Sequence, residues 1–278
     1  MQTPASPSAI PVLPLSLGAE APAAERPAVL PLGAAAGGPT ACPSGSPRGP
    51  TCLQVTVTAP AGALLRVDRP TGDARGTILL TTDGDGLMFA RSNAVSPLAA
   101  RMIARLVADG VLVVEVAWRP GVWGGPRART RACAFATLAR WLYVNVHEGG
   151  RATPFAAQGT GGGASQIAFA LAHYGLGEYL TLANLGGGPL VCPLCVPDGD
   201  TALEPLLPAA RLAYPATAVR VFLGDQEPDP AVAADARMYL DAIESDKALT
   251  IVPGTGHTIE QTSAGVDAYV SSVRAHLR

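Results

Sequence analysis

The stretch FAAQGTGGGASQIAFAL, Phe155 to Leu171, decides how the rest of the chain is read. A short apolar run enters a glycine cluster, Gly159-Thr160-Gly161-Gly162-Gly163, and leaves it directly in a helix-compatible pattern. That layout predicts a strand turning sharply into a helix, because glycine tolerates the backbone conformations and close approaches that an abrupt turn demands. A phosphate-binding turn is the competing reading of such a box. Neither the lysine of a G-x-x-x-x-G-K-[ST] loop nor a G-x-G-x-x-G pattern followed by an acid supports it.

Working outward, the same alternation of strand and helix recurs on both sides. Leu53, Val55 and Val57 alternate with polar residues, and Leu64, Leu65 and Val67 follow Pro60-Ala61-Gly62, which predicts an opening β-hairpin. Continuous apolar runs at Gly76 to Thr82 and Val111 to Ala117 predict buried strands. Between them Leu98, Met102, Ile103 and Leu106 share one helical face. A helix from about Arg129 to His147 comes next, then the elbow. Further strands are expected at 179–185, 218–223 and 247–253, with helices over 231–244 and 260–276. His147 and His173, at helix ends, are expected to cap or pack. Strand–helix alternation implies a mostly parallel sheet, eight strands in this count, with helices on both faces. The connection between the 179–185 and 218–223 strands leaves room for a flap but no large lid.

Composition sets the outer bounds. With 278 residues, 48% of them hydrophobic, the chain can bury one large core. A formal net charge of −2, with no run of Lys and Arg, argues against nucleic acid or anionic membrane as partner. No stretch reaches the roughly 20 apolar residues of a membrane span. Residues 1–50, rich in Pro, Ala, Gly and Ser, are expected to form a flexible leader, with one domain over 51–278. Five cysteines leave at least one unpaired within the chain. Cys42 and Cys52 could pin the leader to the first strand, and Cys192 and Cys195 form a CxxC that could close on itself or leave a partner for Cys133. A redox or zinc role for that CxxC lacks its usual context. Disulfides and a leader together point to a secreted or periplasmic protein, although the first residues make a poor signal peptide. No metal or cofactor is expected, and a monomer is.

In an open parallel sheet, ligands gather outside the carboxyl ends of the strands. The loops there are Asp83-Gly84-Asp85-Gly86, the elbow, Gly224-Asp225-Gln226-Glu227 and Gly254-Thr255-Gly256-His257. From about Thr51 onward this arrangement resembles the α/β hydrolases, whose nucleophile sits in a G-x-S-x-G box, followed in the chain by an acid and then a histidine. The resemblance places Gly161 at the nucleophile position, Asp225 as the acid and His257 as the base. It assigns the oxyanion-holding amides to Gly84 and Gly162. Glu227 and Asp229 are alternative acids in the same loop, and Asp225 could serve only to shape its turn. Met88, Phe89, Trp118 and Trp123 are candidates to line a cleft for a small or polymeric ester, core packing being the plainer alternative.

The serine itself is missing. Glycine has no side chain to attack a carbonyl carbon, so the chain as written is expected to be a very poor serine esterase. Thr160, one position early, and Ser165, about a turn further on, are badly placed to substitute. Two readings stand: a carboxylic-ester hydrolase whose nucleophile has been replaced, or a natural protein using Asp225 and His257 for non-covalent lyase or cyclase chemistry, or for binding alone.

Overall fold

The computed structural model describes residues 31–42, 50–57, 61–82, 97–118, 128–189 and 212–277. They build a nine-stranded sheet: β1 (Ala35–Thr40), β2 (Thr51–Val57), β3 (Ala61–Asp68), β4 (Gly76–Thr81), β5 (Val111–Trp118), β6 (Phe155–Thr160), β7 (Leu182–Gly186), β8 (Ala218–Gly224) and β9 (Lys247–Val252). Its order is β1-β2-β3-β5-β4-β6-β7-β8-β9. The first three strands join antiparallel, and everything from β5 to β9 is parallel. The mostly parallel α/β sheet expected from the sequence is present, with one strand more than the eight counted. That strand is β1, which lies inside the stretch expected to be a leader. Its Ala-Gly-Pro composition hides it from a hydrophobicity pattern; six backbone partners on β2 and the Cys42–Cys52 disulfide hold it in place.

Five helices cover the sheet: α1 (Pro97–Ala108), α2 (Ala128–Asn145), α3 (Gly162–Tyr174), α4 (Pro230–Ala242) and α5 (Ser263–His276). Because successive strand side chains point to opposite faces, each central strand feeds two cores. Leu79, Ala157 and Leu185 meet α2, α3 and α4 on one side, while Ile78, Leu80 and Ala156 meet α1 and α5 on the other. From β4 the chain steps through α1 to β5, then reverses through α2 to β6 on the other flank of β4. Right-handed crossovers in opposite directions put α1 and α2 on opposite faces and open a crevice at the carboxyl ends of β4 and β6. The elbow stands at that crevice.

Helix ends are chemically marked. Asp229 caps α4 by accepting the Ala231 N–H at 2.9 Å ahead of Pro230, Thr262 caps α5 through Gly265 at 3.0 Å, and Gly175 ends α3 in the left-handed region. The expected helix from 260 begins later, after a 3₁₀ turn at Ile259–Gln261. His147 does pack: it is buried against Tyr143 and Phe155, with Nδ1 2.9 Å from Thr77 Oγ1. Trp118, a candidate cleft residue, is 1% exposed and belongs to the core on the α2 side. It ends a fully buried strand, which turns its ring into the sheet's packing. Met88, Phe89, Trp123, Gly84, Cys192, Cys195 and the flap region fall outside the described residues. Cys133 is a free thiol. No helix among the described residues is long and apolar enough to cross a membrane, and no cluster there suits a metal ion.

One buried charge stands out. Glu115, opposite Arg66 in the β3–β5 register, has no exposed surface, and the Arg66 guanidinium is 3.7 Å away while chelating Asp68. Burial drives its carboxyl well above the usual glutamate range, with Arg66 opposing only in part. A carboxyl raised in the folded state favours folding below the unfolded value and loses that contribution as pH rises through the folded one. Glu115→Gln, which leaves Arg66 paired with Asp68, should therefore flatten the fall in stability from acid to neutral pH. At neutral pH it should gain on the order of 1 kcal/mol, read from urea unfolding at both ends of that window.

Candidate active site

β6 ends at Thr160 and α3 begins at Gly162, leaving Gly161 alone to make the turn. It does so at φ 57°, ψ −119°, a conformation that strains any residue with a side chain. Its N–H donates to Gly186 O at 2.8 Å, fastening the turn to the end of β7. The flanking glycines are needed for space instead. A Cβ on Gly159 would stand 2.4 Å from the Gly163 carbonyl carbon, and one on Gly163 would stand 2.7 Å from Thr81 O. Three of the four glycines in the box thus divide two different jobs, the turn at Gly161 and close packing at Gly159 and Gly163. Gly162, the expected oxyanion donor, is the first residue of α3, at the positive end of the helix.

His257 follows β9 and lies over the end of β7. Gly187, at φ 57°, leaves the room: a Cβ there would stand 2.4 Å from His257 O and 3.3 Å from its Cε1. Since Gly187 directly follows the Gly186 that holds Gly161, the imidazole and the elbow rest on the same two peptides.

The carboxylate on that imidazole is Glu227, not Asp225. His257 Nδ1 lies 3.0 Å from Glu227 Oε2, and Glu227 Oε1 accepts the Asp229 N–H at 3.3 Å. Glu227 is 6% exposed at its side chain against 37% for His257, so the carboxylate sits beneath the imidazole and fixes one ring nitrogen. Asp225 is exposed and does something else: its N–H donates to Val252 O, prolonging the β8–β9 ladder, and its Oδ1 accepts the Thr255 N–H at 3.3 Å. It clips the acid loop to the histidine loop. With three acids in Gly224 to Asp229, sequence order favoured the first after the strand, but the ladder runs one residue further and the longer side chain at 227 reaches back. The Thr160 and Ser165 hydroxyls are both engaged within the elbow's own packing. Thr160 is buried, its hydroxyl donating to Glu260 Oε2 at 2.7 Å, and Ser165 Oγ lies 3.5 Å from Gly161 O.

Glu260 is the residue that reading the sequence missed. It has no exposed surface and lies three residues past His257, and nothing in the mostly polar stretch Thr258-Ile259-Glu260-Gln261-Thr262 marks it out. Burial raises its pKa, while the Thr160 hydroxyl, its own backbone amide and the His257 charge pull the other way.

No protein-family model and no curated protein matches the sequence. Solved structures do match in shape. A dienelactone hydrolase from Anabaena variabilis ATCC 29413 superposes at TM-score 0.60 with 16% identity, over 83% of this chain and 99% of that one. The fold is that of the α/β hydrolases. A carboxyl esterase from Bacillus coagulans follows at TM-score 0.57 and 12% identity, over 88% and 99% of the two chains. Thermogutta terrifontis esterase 2 gives 0.55 and 13%, over 77% and 87%. At such identities the likeness speaks for architecture alone. Within that fold, the turn between β6 and α3 of this chain has a glycine as its central residue.

The steric roles of the box are testable without an activity. Gly163→Ala and Gly159→Ala should each cost about 1 to 3 kcal/mol or more in urea unfolding, because the new methyl meets backbone that cannot yield. Gly38→Ala, where a Cβ meets nothing within 4 Å, should be near neutral.

Proposed function

We propose that this chain is a carboxylic-ester hydrolase frame in which position 161 is the vacated nucleophile position, His257 the base and Glu227 its orienting acid. The observation that supports this best is the pairing of Gly161 at φ 57°, ψ −119° with the intact His257–Glu227 contact. An elbow with this backbone conformation at its centre has a use when the residue there must project a side chain into the crevice. The amide of Gly162, with one near Gly84, would hold the oxyanion, and Met88, Phe89 and Trp123 would border a small or polymeric acyl group. Monomeric state and export complete the reading.

With a serine at 161, His257 would take the hydroxyl proton as Oγ attacks the ester carbonyl, return it to the leaving alcohol, and then activate water to release the acid. Glu227 would keep the Nδ1–H tautomer and balance the imidazolium. With glycine no acyl-enzyme forms. Water activated by His257 remains, and the acceleration is limited to the roughly 10³- to 10⁴-fold that binding and oxyanion donors supply.

Gly161→Ser should give a protein that gains one acyl mass on incubation with a p-nitrophenyl ester and hydrolyses it at least 100-fold faster than the parent chain. In that background His257→Ala should abolish turnover, Glu227→Gln should cost about 10²- to 10⁴-fold, and Asp225→Asn less than tenfold. A restored serine that stays inert, while the parent chain turns over another substrate, would sink the ester reading in favour of a non-covalent lyase or cyclase. The same substitution should lower stability by on the order of 1 to 3 kcal/mol, because the serine takes up strain that glycine avoids.

A further inference from the structure

One flank of α1 meets α5 and the 3₁₀ turn after His257; the other faces β3 across a cavity of about 450 Å³. Side chains of β3 alternate, so Leu65 and Val67 enter the core on the α2 side and Arg66 and Asp68 point the other way, into this cavity. From α1 come Ala100, Ala104 and Val107, which share a flank by helical spacing, with Arg101 beside them. Small side chains at 100 and 104 leave a trough where longer ones would fill it. A mostly apolar wall with a few charged groups, in a volume of roughly 300 to 1,000 Å³, is the usual form of a small-molecule site.

The charged groups select the ligand. Arg66 is 9% exposed, yet only one edge of its guanidinium is engaged. Asp68 lies against Nε and Nη2, each at 3.0 Å. Nη1 is left over, and Glu115 Oε1 stands 3.7 Å from it, beyond hydrogen-bond reach. No other acceptor for Nη1 occurs among the described residues. Burial disfavours the charged form of Glu115, so Asp68 is the anion that Arg66 meets. Arg101 is exposed and makes no ion pair among the described residues. Two guanidiniums and one carboxylate therefore leave the lining with one net positive charge. A dianionic head would meet Asp68 as well as the arginines, and a neutral apolar one would leave Nη1 without an acceptor; a single negative charge suits both.

We propose that this cavity binds a small amphiphilic monocarboxylate, with the carboxylate between Arg66 and Arg101 and the apolar chain along Ala100, Ala104 and Val107. Asp68 has a part in this without touching the ligand: by taking two nitrogens of Arg66 it holds the guanidinium plane still, so little side-chain order is lost when Nη1 finds its acceptor. Neither Gly161 nor His257 lines the cavity, and occupancy requires no turnover.

Octanoate serves as the probe. In methyl spectra of the full chain labelled with ¹³C-alanine, the Ala100 and Ala104 signals, assigned by their loss in Ala100→Ser and Ala104→Ser, should shift saturably as one octanoate binds with a Kd on the order of 1 mM or tighter. Octan-1-ol and octylammonium should bind at least about tenfold more weakly. Arg101→Gln should weaken octanoate about tenfold, and Ala104→Leu, which fills the trough, at least as much. Both substitutions fall at exposed positions, so they provide the measurement even if Arg66→Gln does not fold. Octanoate that leaves Ala100 and Ala104 unmoved, as it would in the crevice, overturns the proposal, and so does undiminished affinity in Ala104→Leu. Equal binding of the alcohol, or full affinity in Arg101→Gln, overturns the choice of a carboxylate. Acylation of the Gly161→Ser chain is read separately, so failure of one leaves the other standing.

Discussion

A helix that begins one residue after a buried strand ends must bring backbone within van der Waals range of backbone, and the site depends on that approach. Gly163 lies against Thr81 O and Gly159 against Gly163, so β4, β6 and α3 meet without an intervening side chain. Close packing here aims the α3 N-terminus at the crevice and leaves Gly161 as the residue the crevice meets first. It also brings the end of β7 near enough for Gly186 O to hold the Gly161 amide, and so sets the floor on which His257 rests. Displacing α3 by one methyl group would disturb all three strands together.

Much of this arrangement was legible in the residues. Continuous apolar runs marked β4 and β5 because a strand covered on both faces has no polar side to show. The elbow was legible because Gly159 and Gly163 stand where any side chain would meet backbone, on either side of the turning residue. What was hidden lay where backbone, not side chain, makes the decision. β1 is built from residues with little apolar surface and is held by ladder hydrogen bonds and a disulfide, neither of which leaves a hydrophobic period. The exchange of Asp225 for Glu227 has a similar origin. The β8–β9 ladder extends through Asp225 N–H, a property of pairing that the spelling of the loop does not carry. Trp118 was ambiguous between cleft and core, and only the neighbours of β5 settle it.

The histidine is held from several directions at once. Glu227 arrives from the loop after β8, Gly187 from the end of β7, and Asp225 secures Thr255, two residues before His257. The Thr255 hydroxyl in turn lies 2.8 Å from that of Thr262, the cap of α5. Parallel strands ending at one level make this possible, since loops from neighbouring strands emerge side by side. Buried ionisable groups elsewhere follow a different economy. Glu115 is kept near an arginine already engaged with Asp68, so its cost is only partly offset and falls on the stability of the frame.

The Cys42–Cys52 bond joins residues just beyond β1 to the start of β2, a separation of ten positions, and so closes a small loop at one rim of the sheet. The opposite rim, β9, has no such fastening; four of its six residues are exposed, and Ile251 retains 49% of its surface. An unpaired rim is a template for another strand. Of the two end strands, one is therefore tied to its neighbour by a covalent bond and the other by backbone pairing. In a reducing medium the clasp opens, and β1 is left to its six rungs of backbone pairing and little apolar grip. The redox state of the surroundings thus bears on how firmly the first strand is held, while the rest of the sheet is paired independently of it.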